Sequence, residues 1–125
     1  DQPYLYRVQS WLDASIPLGG GTDAPFGDAD PWKAMLAAVE RRTPSDELLG
    51  AEERISPEMA LGLFMDDFAH HTRAGRDSAP SVSIGDPANL CLLDRPWHEI
   101  REGLSSERVA ATFCRGELTY RAQQD

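Results

Sequence analysis

The sequence predicts an α/β fold, and three observations carry that expectation. A short apolar run, Ile16-Pro17-Leu18, leads through Gly19-Gly20-Gly21 to Thr22-Asp23-Ala24-Pro25, the pattern of a strand that stops on an acid with little bulk around it. Asp30-Pro31-Trp32 then reads as a helix start, with Asp30 as N-cap and Pro31 in the first turn, and Met35, Leu36 and Val39 follow at helical spacing. Toward the C-terminus the apolar segments 88–93, 110–114 and 117–120 read as strands, and Arg115-Gly116 supplies a tight turn between the last two.

In chain order, residues 3–14 form a first helix with Leu5, Val8, Trp11 and Leu12 on its apolar face, stopping before Pro17. The strand and the loop carrying Asp23 come next, then the helix opened by Asp30. That helix ends at Arg41 and Arg42, where cations favour the helix dipole. Residues 43–54 are a polar connector with Pro44 and Gly50, and Glu52 and Glu53 belong to its solvated charge. Ser56-Pro57 repeats the helix-start signal, with Met59, Ala60, Leu63, Phe64 and Phe68 near one face. Residues 71–81, rich in Arg, Gly, Asp, Ser and Pro, read as an exposed seam. Beyond it, residues 88–93 form a buried strand, Pro96 to Arg101 a helical turn, and Arg121 begins a polar tail. Cys91 and Cys114 fall in strand-like runs and read as buried thiols rather than a disulfide or metal pair, which points to the cytoplasm.

Composition narrows the function. Twelve Lys and Arg against 21 Asp and Glu give a net charge of −9, which repels a polyanionic backbone, so nucleic acid is excluded as a partner. The longest apolar run, residues 34–39, is far short of the roughly 20 residues that span a bilayer, so no membrane partner is expected. His70 and His71 are adjacent and therefore about 100° apart on a helix, which suits a polar helix end better than a shared metal. His98 has no ligand-spaced companion, so no complete metal site can be drawn.

Gly21-Thr22-Asp23-Ala24-Pro25 followed by Asp30-Pro31-Trp32, and then Ser83-Ile84-Gly85-Asp86-Pro87-Ala88-Asn89-Leu90, resemble in that order the C-terminal end of the amidohydrolase superfamily. The likeness is greatest to the branch that holds the N-substituted formamide deformylases, and it covers the chain from about Tyr4 to Tyr120. Asn89 stands where that family commonly has Asp. The resemblance implies the C-terminal fragment of a (β/α)8 TIM barrel over residues 1–80, comprising the last strand and helices. Residues 81–125 would be the C-terminal strands of a small composite β-sandwich domain. A barrel of that kind needs roughly 250 residues, so the chain is expected to be part of a longer enzyme, incomplete and inactive alone. Leu5, Val8, Trp11, Trp32, Leu36, Val39, Leu63 and Phe64 would then normally pack on the rest of that enzyme.

The same resemblance implies metal-dependent hydrolysis of a C–N bond, of amide or formamide type, in a small-molecule substrate. Asp23 is the expected catalytic and metal-site residue: in the family the matching aspartate sits beside one or two divalent metals, usually zinc, and accepts a proton from metal-bound water. Thr22 would fix the strand end through its hydroxyl, Phe26, Gly27 and Asp28 would line the rim, and Asp28 reads as a turn residue rather than a second catalytic acid. The metal belongs to the longer enzyme; none is expected on the isolated chain. Partners are then the substrate and the remainder of the same chain, with homo-oligomer formation left open. From the residues alone the glycine-rich segment also reads as a plain turn with a capping aspartate. Two other functions stay in view. One is a non-catalytic binding or assembly module that retains the strand–helix–sheet unit. The other is a phosphate cradle at Gly19-Gly20-Gly21, disfavoured because Asp23 would face the phosphate and no Lys follows.

Overall fold

The computed structural model describes residues 5–65 and 82–123. The chain divides into two compact units, Asp1–Ala79 and Pro80–Asp125.

In the first unit, α1 covers Val8–Asp13, α2 Pro31–Glu40 and α3 Pro57–Gly62, with a 3₁₀ turn at Ala51–Glu53 before α3. Both expected caps form. Asp30 accepts the Trp32 N–H at 2.9 Å with Pro31 in the first turn, and Ser56 Oγ accepts the Met59 N–H at 3.1 Å. Each side chain satisfies a backbone donor that the helix itself leaves without a partner. Asp30→Ala in the intact protein is therefore expected to weaken the first turn of α2 by about 1 kcal/mol. Hydrogen–deuterium exchange at Trp32 should then run about fivefold faster while the middle of α2 changes little.

α2 packs on α3, and Trp32, Met35, Ile55 and Ala60 are buried as the core of this unit. Trp32 thus finds its cover within the chain. Leu5 and Trp11, expected to pack elsewhere, are about half exposed. α1 is shorter than the expected helix and buries no residue of its own, because its anchorage is polar. Ser10 donates from N to Glu53 Oε2 at 2.8 Å and from Oγ to Oε1, while Arg7 Nε lies 3.8 Å from the same carboxylate. Glu53 is therefore buried, not part of a solvated charge run, because the 3₁₀ turn packs it against α1.

Burial pushes the Glu53 carboxyl up, but the two Ser10 hydrogen bonds and the charges of Arg7 and Arg41 outweigh it and hold the group below its ordinary range. A carboxyl depressed on folding contributes stability that is complete above its unfolded value, about 4.3, and that disappears as pH falls through the lower folded value. Titration of the Glu53 carboxyl carbon by NMR should give a midpoint below that of a free glutamate. The α1 contact should loosen only below it, and Glu53→Gln should remove this acid dependence.

Arg41 also departs from expectation. It is not a solvated cation at the helix dipole; it sits in the left-handed region (φ 57°), buried, with its guanidinium turned onto main-chain carbonyls. Nε donates to Leu49 O at 2.8 Å, Nη1 to Tyr6 O at 3.1 Å and Nη2 to Leu5 O at 2.8 Å, while Arg41 O accepts from Leu49 N at 2.7 Å. One side chain thereby joins the segment before α1 to the end of α2 and the connector. The connector itself folds back antiparallel through the Arg42–Leu48 bridge and the Thr43 N to Glu47 O bond of 2.9 Å.

Residues 16–22 form no strand pairing among the described residues. A strand is a shared object whose N–H and C=O groups need a neighbouring strand; here Gly20 N donates instead to Leu63 O at 2.6 Å.

In the second unit, β1 (Leu90–Leu93), β2 (Val109–Cys114) and β3 (Glu117–Arg121) form an antiparallel sheet in sequence order. The helical turn α4 (Trp97–Ile100) and a 3₁₀ turn at Ser106–Arg108 lie between β1 and β2. The β2–β3 turn is the one the sequence marks: Arg115 (φ 51°) and Gly116 (φ 82°) both take positive φ, the signature of a two-residue type I′ hairpin. β1 is anchored to that turn. Asn89 Oδ1 accepts from Arg115 N at 2.9 Å and Ala88 O from Gly116 N at 3.0 Å, so the amide at 89 fills its acceptor role. Ile100, Leu104, Val109 and Ala111 form the buried core.

β1 itself is not buried. Leu90 and Leu92 are 41% and 55% exposed, and Cys91 and Cys114 are exposed free thiols. The apolar run predicts burial, but the core of this unit gathers at the α4 end of β2 and leaves β1 on the sheet edge. The expected polar tail begins later than Arg121, which pairs with Ala111, and Ala122 N still bonds Ala110 O at 2.9 Å.

Candidate functional site

The glycine-rich segment acquires its shape from two sides. Upstream, Gly20 is bonded to Leu63 and lies against the Phe64 ring. Downstream, Asp23 O accepts both Phe26 N at 2.9 Å and Gly27 N at 2.8 Å, closing a turn over Ala24-Pro25, whose peptide bond is cis. Asp23 heads this turn with φ 57°, a conformation that aspartate tolerates better than most residues. Thr22 contributes its main chain, not its hydroxyl. Its carbonyl stands where a Cβ at position 27 would be, and among the described residues its Oγ1 makes no hydrogen bond. That is why the turn needs glycine at 27.

The Asp23 carboxylate is exposed and takes no hydrogen bond from another described residue. Asp28, five residues on, contrasts with it. Its Oδ1 accepts from Asp30 N at 3.0 Å and its Oδ2 is hydrogen-bonded by Lys33 Nζ. The Lys33 ammonium, with the Asp30 N–H, holds the Asp28 carboxyl below the usual carboxylate range. Both oxygens are engaged in tying the loop to the start of α2, so Asp28 is a structural turn residue. Phe26, between the two acids, is 92% exposed.

Asp23 is one hard oxygen donor of the type that divalent cations accept. Among the described residues no group of three or more His, Cys, Asp or Glu could hold a metal ion, so they fit such an ion only as a single ligand. His98 is exposed, with Glu99 Oε1 3.9 Å from its Nε2. His70 and His71 lie outside the described residues, as do Phe68 and the seam at 71–81. No described helix is long and apolar enough to cross a membrane. Sequence reasoning missed Arg41, Glu53 and Ser10, which hold this unit together. Nothing in their spacing separates them from ordinary surface polar residues, because their partners are main-chain groups or residues more than 30 positions away.

The glycine-framed acid ahead of a capped helix lies in a chain whose sequence relationships define its family. The sequence model described as the Amidohydrolase family matches residues 1–120, and the chain belongs to that family. It is 32% identical over 117 residues to the N-substituted formamide deformylase of Arthrobacter pascens, a match covering 93% of this chain and 21% of that enzyme. The chain thus spans about a fifth of the length of the curated relative it matches. No solved structure matches it.

Proposed function

We propose that the chain is the C-terminal part of a metal-dependent hydrolase that cleaves the C–N bond of an amide or N-substituted formamide, with Asp23 as its proton acceptor and one metal-facing carboxylate. The observation that supports this most is the exposed, unpartnered Asp23 carboxylate at the head of a doubly bonded turn, in a chain of this family. In this reading residues 1–80 derive from the last strand and helices of a (β/α)8 barrel, and residues 81–125 from the accompanying β domain. Segment 16–22 takes up strand pairing only where neighbouring barrel strands are present.

A divalent metal, zinc in this reading, supplies when bound a water acidic enough to ionise near neutral pH. The remaining steps belong to side chains. The Asp23 carboxylate takes the proton of the attacking water and returns it to the departing amine, which cannot leave as its anion. Hydrolysis of a formamide then yields formate and an amine. Phe26 and Gly27, tied by their N–H groups to Asp23 O, carry the rim of the site. The two thiols stand free, which supports a reducing, cytoplasmic setting.

The test is release of formate and amine from N-butylformamide by the intact protein, with acetamides of the same amine in parallel. Formate release supports a deformylase, and acetate release alone moves the assignment to another amide. Release of neither, with metal supplied, rejects the hydrolase reading and leaves the non-catalytic binding module.

A further inference from the structure

We infer that Gly20, together with Leu63 and Phe64, is a positioning element for Asp23; the inference rests on the assignment of Asp23 proposed above. The Gly20 N–H donates to Leu63 O at 2.6 Å, and the edge of the Phe64 ring fills the space beside its Cα. A Cβ at position 20 would lie 2.5 Å from Phe64 Cε2 and 2.8 Å from Cδ2 and Cζ, inside the distance at which carbon atoms repel. One residue is thus held by both a hydrogen bond and an aromatic edge. The glycine is required because the ring takes the place of its side chain.

Leu63 and Phe64 are themselves well placed to act as a fixed point. They directly follow α3, which packs on α2, whose start is capped by Ser56 and whose Ala60 is fully buried. α2 in turn begins at Asp30, where the loop after Asp23 ends and where Asp28 is fastened to Asp30 N and Lys33. The loop carrying Asp23 is therefore secured at Gly20 on one side and at the 23–27 turn on the other. Only Gly21 and Thr22 separate the Gly20 anchor from Asp23. A Cβ on Gly21 would meet nothing within 4 Å, and the Asp23 side chain has no described partner, so the place of the carboxylate is set by these two anchors and not by its own neighbours.

A general base must stand within hydrogen-bond reach of the proton it takes, and a displacement of 1 Å can cost about 10²-fold in rate. A methyl group at position 20 must push either the ring or the loop, and whatever part of the shift the loop takes passes to Asp23 through Gly21 and Thr22 alone. The expected result for Gly20→Ala in the intact protein, assayed with N-butylformamide, is a kcat lowered by about 10- to 100-fold with KM within about twofold.

Phe64→Leu combined with Gly20→Ala removes the ring edge that the new methyl meets, and should restore most of kcat. Phe64→Leu alone leaves the backbone unaltered and should lower kcat a few-fold, which keeps the test available if Gly20→Ala folds poorly. Wild-type kcat in both single variants beside an inactive Asp23→Asn overturns the positioning role and leaves the base assignment standing. A loss in Gly20→Ala shared equally by kcat, KM and melting temperature, without rescue by Phe64→Leu, also overturns it in favour of a purely structural contact. Wild-type rates in Asp23→Asn, or no hydrolysis by the parent protein, overturn the assignment beneath it and the inference with it.

Discussion

Asp23→Asn in the intact protein is expected to lower kcat by about 10²–10⁴-fold, the range that general acid–base groups contribute, with little change in KM or melting temperature. The substitution keeps the size and shape of the side chain and removes its basic oxygen. Stability should be spared because the Asp23 side chain is exposed and bonded to no other described residue, while the turn is made by its main-chain carbonyl, which asparagine also supplies. Asparagine tolerates the positive φ as well as aspartate does, so the loop has no reason to rearrange. Asp28→Asn is the informative companion. Its oxygen can still accept from Asp30 N, and hydrolysis should stay within a few-fold of the parent. Steady-state kinetics on N-butylformamide with both variants decides the matter: comparable rates for Asp23→Asn and the parent would remove Asp23 from the chemistry.

The largest expected loss of stability comes from Arg41→Ala. The guanidinium donates to carbonyls of Leu5, Tyr6, Leu49 and Gly50, and removing it leaves part-buried acceptors without these donors and a void where the buried side chain was. Hydrogen bonds to a charged group contribute roughly 1.5–3 kcal/mol each and do not add, so about 3 kcal/mol is expected for the set. Arg41→Lys should rescue little, because one ammonium cannot span carbonyls that a planar fork of five donors reaches together. Exchange at the Leu49 amide, which bonds Arg41 O, should accelerate together with α1, while the hairpin amides of the second unit keep their protection. Unchanged exchange at Leu49 in Arg41→Ala would mean that the carbonyls find water at no cost and that the clamp is ornamental.

What the sequence determined by itself were the features written in adjacent residues. The Asp30 and Ser56 caps, proline in the first turn of α2 and α3, the Arg115-Gly116 hairpin and the helical turn after Pro96 all depend on φ preferences and side-chain reach over two to four positions. The family was legible for a related reason: the Gly-Thr-Asp-Ala-Pro and Ile-Gly-Asp-Pro-Ala-Asn-Leu segments are contiguous, and the match extends over residues 1–120. Tertiary structure decided whatever depends on a distant partner. Glu53 and Ser10 are 43 residues apart, Arg41 and Leu5 are 36, and no local pattern tells a polar side chain that it will meet a main-chain group at that range. Cys91, Leu90 and Leu92 have the composition of a covered strand, yet exposure is a property of what stacks on the sheet, and hydrophobicity states only a preference for being covered. Segment 16–22 is the sharpest case. Its residues suit a strand, but a strand exists only with a neighbour to share its hydrogen bonds, and here Gly20 gives its N–H to Leu63 while Asp23 O closes a turn with the N–H groups of Phe26 and Gly27.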